Sequence, residues 1–274
     1  RYEQSQTALE NLTRLMHSAV ERPDGAPFVH INDIKGKIQF EDVGFAYPAT
    51  PADSVKGLNF TIQPGERVGI VGRAGSGKST IARLMLGLYA PNHGRILVDD
   101  LEIRQIDPVE MRQNICYFPQ NLYLFRGSLR DNLLLAKPDA SHDQMLQAVE
   151  ISGAYRLVRR HPKGFELPVG ERGEFLSGGQ RQAVGLARAL MHDGKIVVLD
   201  DPTSELDAQS EAWVRDRLAK WLRDRTLVLI THRPAMLDLV DRLLVVDDGR
   251  IVADGPKNRV LEWLAGQNAD KGAA

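Results

Sequence analysis

Hydrophobic positions along this chain change period several times, and each change marks an element. Ile196-Val197-Val198-Leu199 and Leu227-Val228-Leu229-Ile230 are unbroken apolar runs, with Trp213, Val214, Leu218, Trp221 and Leu222 at helical spacing between them. Continuous apolar strands separated by helices predict a parallel sheet covered on both faces, and hence an α/β fold. Upstream, Ile38 and Phe40 alternate with polar residues, the phase slips at Glu41-Asp42, and alternation resumes as Val43, Phe45 and Tyr47; this predicts a bulged strand. Leu58, Phe60 and Ile62 give a second strand, and Pro64-Gly65-Glu66 turns the chain into Val68-Gly69-Ile70-Val71. Ile81, Leu84, Met85 and Leu88 then share a helix face, and residues 95–98 form another strand after the turn at Pro91-Asn92-His93-Gly94. Asp107-Pro108-Val109-Glu110 starts a short helix, with a cap, a proline at the first helical position and an acid three residues on.

From about residue 121 to 191 the pattern is helical, with Ser128 capping 129–136 and Ser141 opening the next helix. Asp247-Asp248-Gly249 between two apolar runs signals a hairpin. A last helix is expected near 260–264, and the polar, small-residue stretch 266–274 is expected to be mobile. At the other end, residues 1 to about 22 read as a helix with Tyr2, Leu9, Leu12 and Met16 on one face, broken by Pro23-Asp24-Gly25-Ala26-Pro27. The pattern suits either a connector from an upstream domain or a plain packing helix.

Composition narrows the function classes. Across 274 residues the chain is 43% apolar and 26% charged, ordinary values for a globular protein. A formal net charge of −1 offers no electrostatic reason to bind nucleic acid or an anionic membrane surface. Cys116 is the only cysteine, which excludes disulfides within the chain and CxxC-type metal sites. It lies in the apolar run Ile115-Cys116-Tyr117-Phe118, so it is expected in the core of a protein kept in a reducing compartment. No run approaches the roughly 18 apolar residues of a membrane span. The first residue is Arg1 rather than Met, which suggests a piece of something longer.

The chemistry starts at Gly72-Arg73-Ala74-Gly75-Ser76-Gly77-Lys78-Ser79-Thr80, set between an apolar strand and a helix. That order is the one a phosphate-cradling P-loop needs. The glycines let backbone N–H groups turn around an anion, and the following helix aims its positive end at the same point. Lys78 can reach the β- and γ-phosphates of a nucleotide, and the Ser79 hydroxyl can ligate Mg²⁺. Asp200 closes a buried strand beside the P-loop strand, a position suited to holding Mg²⁺. Leu176-Ser177-Gly178-Gly179-Gln180 precedes a long helix and forms a second anion-accepting N-terminus. Two phosphate sites with one P-loop suggest that the second serves a partner's nucleotide.

With the P-loop upstream and Asp200 downstream, that pentapeptide resembles the signature of ABC-type ATPase domains, and the likeness runs from about residue 37 to 256. The resemblance implies a P-loop NTPase (RecA-like) core with an antiparallel β subdomain and an inserted helical subdomain over about 121–190. It implies ATP and Mg²⁺ as ligands, with Gly72, Gly75, Ser76, Gly77, Lys78, Ser79 and Thr80 around the phosphates. Tyr47 matches the ring on which adenine stacks, Gln120 the Q-loop glutamine near Mg²⁺ and the attacking water, and His232 the switch histidine. Asp207, in Ser204-Glu205-Leu206-Asp207, matches the D-loop. Two such domains would pair head to tail, with Ser177, Gly178, Gly179 and Gln180 of one facing the nucleotide of the other. Residues 1–34 would then be a helix and linker from an absent transmembrane domain, 35–265 the ATPase domain and 266–274 a flexible tail.

One residue departs from the family pattern. Asp201 stands where hydrolysing members usually carry the glutamate that polarises water. Aspartate is one methylene shorter, and a displacement of about 1 Å can cost roughly 100-fold in rate. The two readings are a slow ATPase with Asp201 as base, or a degenerate site that binds ATP while a partner hydrolyses. Leu167-Pro168-Val169-Gly170-Glu171-Arg172-Gly173 resembles the exporter X-loop, in which Glu171 would touch the membrane domain. The stretches 169–190, 231–234 and 249–256 look most like type I secretion ATPases, which implies a membrane fusion protein and an outer-membrane channel as partners at the cytoplasmic face of the inner membrane. Peptide, lipid and drug exporters are the alternatives within the family, and a soluble ABC ATPase of translation or DNA maintenance is the alternative outside transport.

Overall fold

In the computed structural model, which describes residues 2–17, 20–23, 25, 27–31, 33–48 and 52–272, two sheets and a set of helices share two apolar cores. Helix α1 (Tyr2–Met16) opens the chain. Strands β1 (Ile38–Phe45) and β2 (Val55–Ile62) lead into β3 (Arg67–Gly72), the glycine-rich loop and α2 (Lys78–Met85). Then come β4 (His93–Val98), β5 (Leu101–Glu102), α3 (Pro108–Gln113) and β6 (Ile115–Phe118). Four helices follow: α4 (Leu129–Leu134), α5 (His142–Ser152), α6 (Tyr155–Arg160) and α7 (Gly178–Leu190). The chain ends with β7 (Ile196–Asp200), α8 (Ala208–Trp221), β8 (Thr226–Ile230), β9 (Arg242–Asp247), β10 (Arg250–Pro256) and α9 (Lys257–Gly272).

The smaller sheet, ordered β2-β1-β4-β5, is antiparallel and carries the expected register shift between Phe40 and Val43. The larger sheet is ordered β10-β9-β3-β8-β7-β6 and is parallel except where β10 returns along β9. Alternate residues of each central strand enter different cores. Val197, Leu199, Leu227, Leu229, Leu243 and Val245 join the helical core with Val184, Leu186, Val214 and Leu218. Their neighbours Ile196, Val198, Val228, Ile230, Leu244 and Val246 join the other, with Ile81 and Leu84 of α2 and Phe40, Ile62 and Ile96 of the smaller sheet. Burial on both faces is why these strands read as unbroken apolar runs.

Capping residues do what their chemistry predicts. Asp107 accepts from Val109 N (2.8 Å) with Pro108 at the first helical position, and Ser128, Ser141 and Ser177 each close a capping box. Asp248 (φ +44°) and Gly249 (φ +75°) form the two-residue hairpin turn. Cys116 is fully buried, its S–H directed at Ala189 O (3.1 Å), and burial pushes the thiol up to about 12.

Four expectations change. β7 is not beside the P-loop strand; β8 lies between β3 and β7, so the segment after β8 also reaches the site. The helical stretch 121–191 is interrupted, since residues 161–177 hold two short 3₁₀ turns in an otherwise irregular path. α1 stops at Met16, and beyond it Glu21 and Arg22 pair with Arg112 (2.7 Å) and Asp107 (2.7 Å); its Leu9, Leu12 and Met16 are exposed rather than packed. Finally, α9 runs from Lys257 to Gly272, longer than the helix expected near 260–264, and residues 273–274 of the expected tail lie outside the described residues. Among the described residues no helix is long and apolar enough to cross a membrane.

Candidate active site

The parallel strands β3, β7 and β8 all end at one edge of the larger sheet, and the segments leaving them converge there. β3 ends in Gly72, where an added Cβ would collide with Val246 O, and Gly77 caps α2 at φ +103°, where one would stand 2.5 Å from Ser54 O. The loop therefore needs glycine at both ends, where a side chain would run into the backbone at Val246 and at Ser54. Lys78 Nζ crosses the loop to donate to Gly72 O (2.9 Å) and Arg73 O (2.6 Å). Burial lowers its pKa from the ordinary lysine value, while the carboxylates of Asp201 and Asp200 pull it back.

Tyr47, Gly75, Gly77, Lys78, Ser79, Thr80, Gln120, Asp200, Asp201 and His232 line one cleft of about 350 Å³. Ser79 Oγ and Gln120 Oε1 are 3.5 Å apart. Asp200 is buried with neither carboxylate oxygen hydrogen-bonded, and Ser76 Oγ is buried unpartnered as well. Burial raises the Asp200 pKa; the neighbouring Ser79 hydroxyl opposes this without reaching hydrogen-bond geometry. Orphaned carboxylate oxygens beside a hydroxyl and an amide oxygen form an all-oxygen donor set that fits Mg²⁺. The glycine-lined loop and the Lys78 ammonium fit a polyphosphate.

Asp201 follows in a left-handed conformation (φ +52°) that its own hydrogen bonds hold. Its N–H donates to Ile230 O (2.8 Å), and its carboxylate accepts from His232 N–H (3.0 Å). His232 Nε2 stands 3.8 Å from the other carboxylate oxygen, on a half-exposed ring at the cleft rim. Tyr47 is fixed edge-on by Phe45 (centroids 4.9 Å apart) and Tyr89 (5.1 Å), and its hydroxyl accepts from Arg83 Nη1 (2.8 Å).

Ser177, Gly178, Gly179, Gln180 and Asp207 do not join that cleft. They line a second cavity of about 690 Å³, together with Arg156, Arg160 and Trp213. Ser177 Oγ accepts from Gln180 N (3.3 Å), and Gln180 Oε1 accepts from Ser177 N (2.9 Å), so the serine proton remains free to donate to an anion. Asp207 caps α8 by accepting from Ser210 N (2.8 Å), which lowers its pKa. An added Cβ at Gly178 would stand 2.5 Å from Glu205 Oε2, so the two signature glycines permit close approach of the segment before α8.

Three functional contacts escape sequence reading. Arg83 anchors the Tyr47 hydroxyl (2.8 Å), Arg233 donates to Ser204 O (2.7 Å), and Gln182 is buried against Asp201 and Ser204. Each is a polar residue in a helix or loop whose partner is distant in sequence, and periodicity carries no signal for such a pair.

The family model described as "ABC transporter" matches residues 55–204. The chain is 43% identical over 226 residues to the mycobactin import ATP-binding/permease protein IrtB of Mycobacterium tuberculosis, covering 82% of this chain and 39% of that protein. It is 36% identical over 228 residues to the cyclolysin secretion/processing ATP-binding protein CyaB of Bordetella pertussis, covering 83% and 32%. The structure of a bacterial Atm1-family ABC exporter with ATP bound superposes with a TM-score of 0.87 at 31% identity, covering 99% of this chain and 48% of that one. The chain thus spans about two-fifths or less of the curated relatives named here.

Proposed function

Because the chain belongs to the ABC transporter family, we propose that it is the ATP-binding and ATP-hydrolysing motor domain of an exporter, acting as a head-to-tail pair. The observation that carries this reading is the division of the phosphate-binding elements between two separate cavities of one chain. Lys78, Ser79 and Asp200 line one, while Ser177 and Gly179 line the other. Pairing two copies head to tail sets each half opposite its complement, so that two helix N-termini face one triphosphate.

In that pair, Lys78 and the loop N–H groups hold the β- and γ-phosphates, Ser177 donates to the γ-phosphate from the partner copy, and Tyr47 offers its ring to adenine. Mg²⁺, held by Ser79, Asp200 and Gln120, would neutralise charge on the transferred phosphoryl group. His232 reaches the γ-phosphate from the cleft rim. Asp201 accepts the proton of the attacking water; its short side chain and its bond to His232 N–H make this a slow base. The same bond favours a second reading, ATP binding without hydrolysis, because it engages a carboxylate oxygen already.

The transmembrane partner docks where Phe175 is exposed (66%), beside Glu171 of the X-loop. For the cargo, the type I secretion resemblance and the likeness to a cyclolysin secretion protein support a large protein, with a membrane fusion protein and outer-membrane channel as further partners. On this reading the domain works at the cytoplasmic face of the inner membrane. The likeness to a mycobactin import protein supports small-molecule traffic instead, and peptide, lipid or drug export is the alternative.

Complementation tests the pair. Lys78→Ala and Ser177→Arg chains should each be inactive alone, while an equal mixture should recover about a quarter of parental ATPase, since half the dimers are mixed and each has one intact composite site. A mixture as inactive as its components refutes the head-to-tail arrangement.

A further inference from the structure

The buried side chain of Gln182 joins the two half-sites inside one chain. It lies in the second turn of α7, five residues after Ser177, and is 6% exposed. Its carboxamide makes three hydrogen bonds: Nε2 donates to Asp201 O (3.0 Å) and to Ser204 Oγ (2.9 Å), and Oε1 accepts from Glu205 N–H (2.7 Å). At one end of this contact, the helix N-terminus carries Ser177 and Gly179 into the signature cavity. At the other, Asp201 faces the P-loop cleft from a left-handed backbone whose carboxylate holds His232 N–H. Arg233, the next residue, returns to the same loop by donating to Ser204 O (2.7 Å) and Leu206 O (3.3 Å).

We infer that Gln182 is a positioning residue that holds the signature half-site and Asp201 in one register, so that the composite site Ser177 completes for a partner and the one Asp201 serves in the chain's own cleft both need it. The inference rests on the composite-site reading above. A buried amide with three well-made bonds transmits displacement because breaking any of them strands a buried donor or acceptor. Gln182 itself makes no hydrogen bond to the P-loop, so its loss should change nucleotide affinity at Lys78 little while lowering turnover. The same three bonds hold both half-sites of a chain, so both depend on the residue.

The test measures ATP turnover and, in EDTA, the affinity for a fluorescent ATP analogue. Gln182→Met keeps the volume and loses all three bonds; Gln182→Glu keeps the acceptor for Glu205 N–H and loses both donors. Each should lower kcat by about tenfold or more while changing analogue affinity by less than about twofold. In the complementation mixture, Gln182→Met is added first to the Lys78→Ala chain, then to the Ser177→Arg chain. Turnover should fall in both arrangements. Parental kcat in the Glu variant, a loss of affinity matching the loss of kcat, or a fall in only one arrangement overturns the inference. Should the Met variant fail to fold, the Glu variant is carried through both arrangements and judged by the same outcomes. If the unmodified complementation mixture is inactive, the composite-site reading fails and this inference falls with it. If that mixture works while the Gln182 variants behave as the parent, this inference alone fails.

Discussion

Replacing Asp201 by asparagine separates two roles that the structure gives one carboxylate. Its oxygen accepts from His232 N–H at 3.0 Å, and the asparagine carbonyl can keep that bond. The left-handed backbone at Asp201 (φ +52°) suits asparagine as well as aspartate. What disappears is the charge and with it the capacity to take a proton. If Asp201 is the base for water attack, kcat at saturating Mg-ATP should fall by about 100-fold or more. If it only orients His232, exchanging a charge-assisted hydrogen bond for a neutral one costs about 1 kcal/mol, roughly fivefold. Asp201→Glu tests the placement argument from the other side: the added methylene carries the carboxylate about 1 Å further, and turnover should rise, by up to about 100-fold. The assay is steady-state phosphate release, with nucleotide affinity measured separately to exclude a binding defect. An Asn form within about fivefold of the parent removes Asp201 from the base role. A Glu form no faster than the parent refutes the distance argument.

Gly77→Ala should weaken binding of a fluorescent ATP analogue, because a left-handed residue costs about 1–2 kcal/mol and its Cβ would stand 2.5 Å from Ser54 O; unchanged affinity would show that the loop tolerates the side chain. Cys116, fully buried with its thiol pushed up to about 12, should resist alkylation at pH 8 in the native protein and react only on unfolding, which thiol titration with and without denaturant checks. Arg242 donates to both oxygens of Asp254 (2.6 Å each), to Glu66 Oε1 (3.0 Å) and to Thr61 O (2.8 Å), so Arg242→Met should lower stability by about 2 kcal/mol in denaturant melts without altering nucleotide affinity. Stability equal to the parent would mean those carboxylates are solvated as well without it.

Much of the candidate site was legible from residues alone, and the reason is locality. A glycine that must take a left-handed conformation, a serine that caps the helix it precedes and an Asp-Gly hairpin turn all act within a few residues, so sequence spacing encodes them. Resemblance then supplied the roles of residues with no local signature, such as Tyr47 and His232. Helix ends were less readable: the residues beyond Met16 pair with Arg112 and Asp107, partners far along the chain that no local window contains.

By itself the sequence determined that this chain folds as an α/β ABC-type domain, with a glycine-rich loop at Gly72 and a second glycine-rich helix start at Ser177. Only the tertiary structure decided that β8 stands between β3 and β7, that these two glycine-rich segments open into different cavities, and that Gln182 and Arg233 tie the segments between them. Strand order and long-range side-chain pairing minimise the free energy of the whole chain, and no short window of sequence contains both partners of a bond such as Gln182 to Asp201.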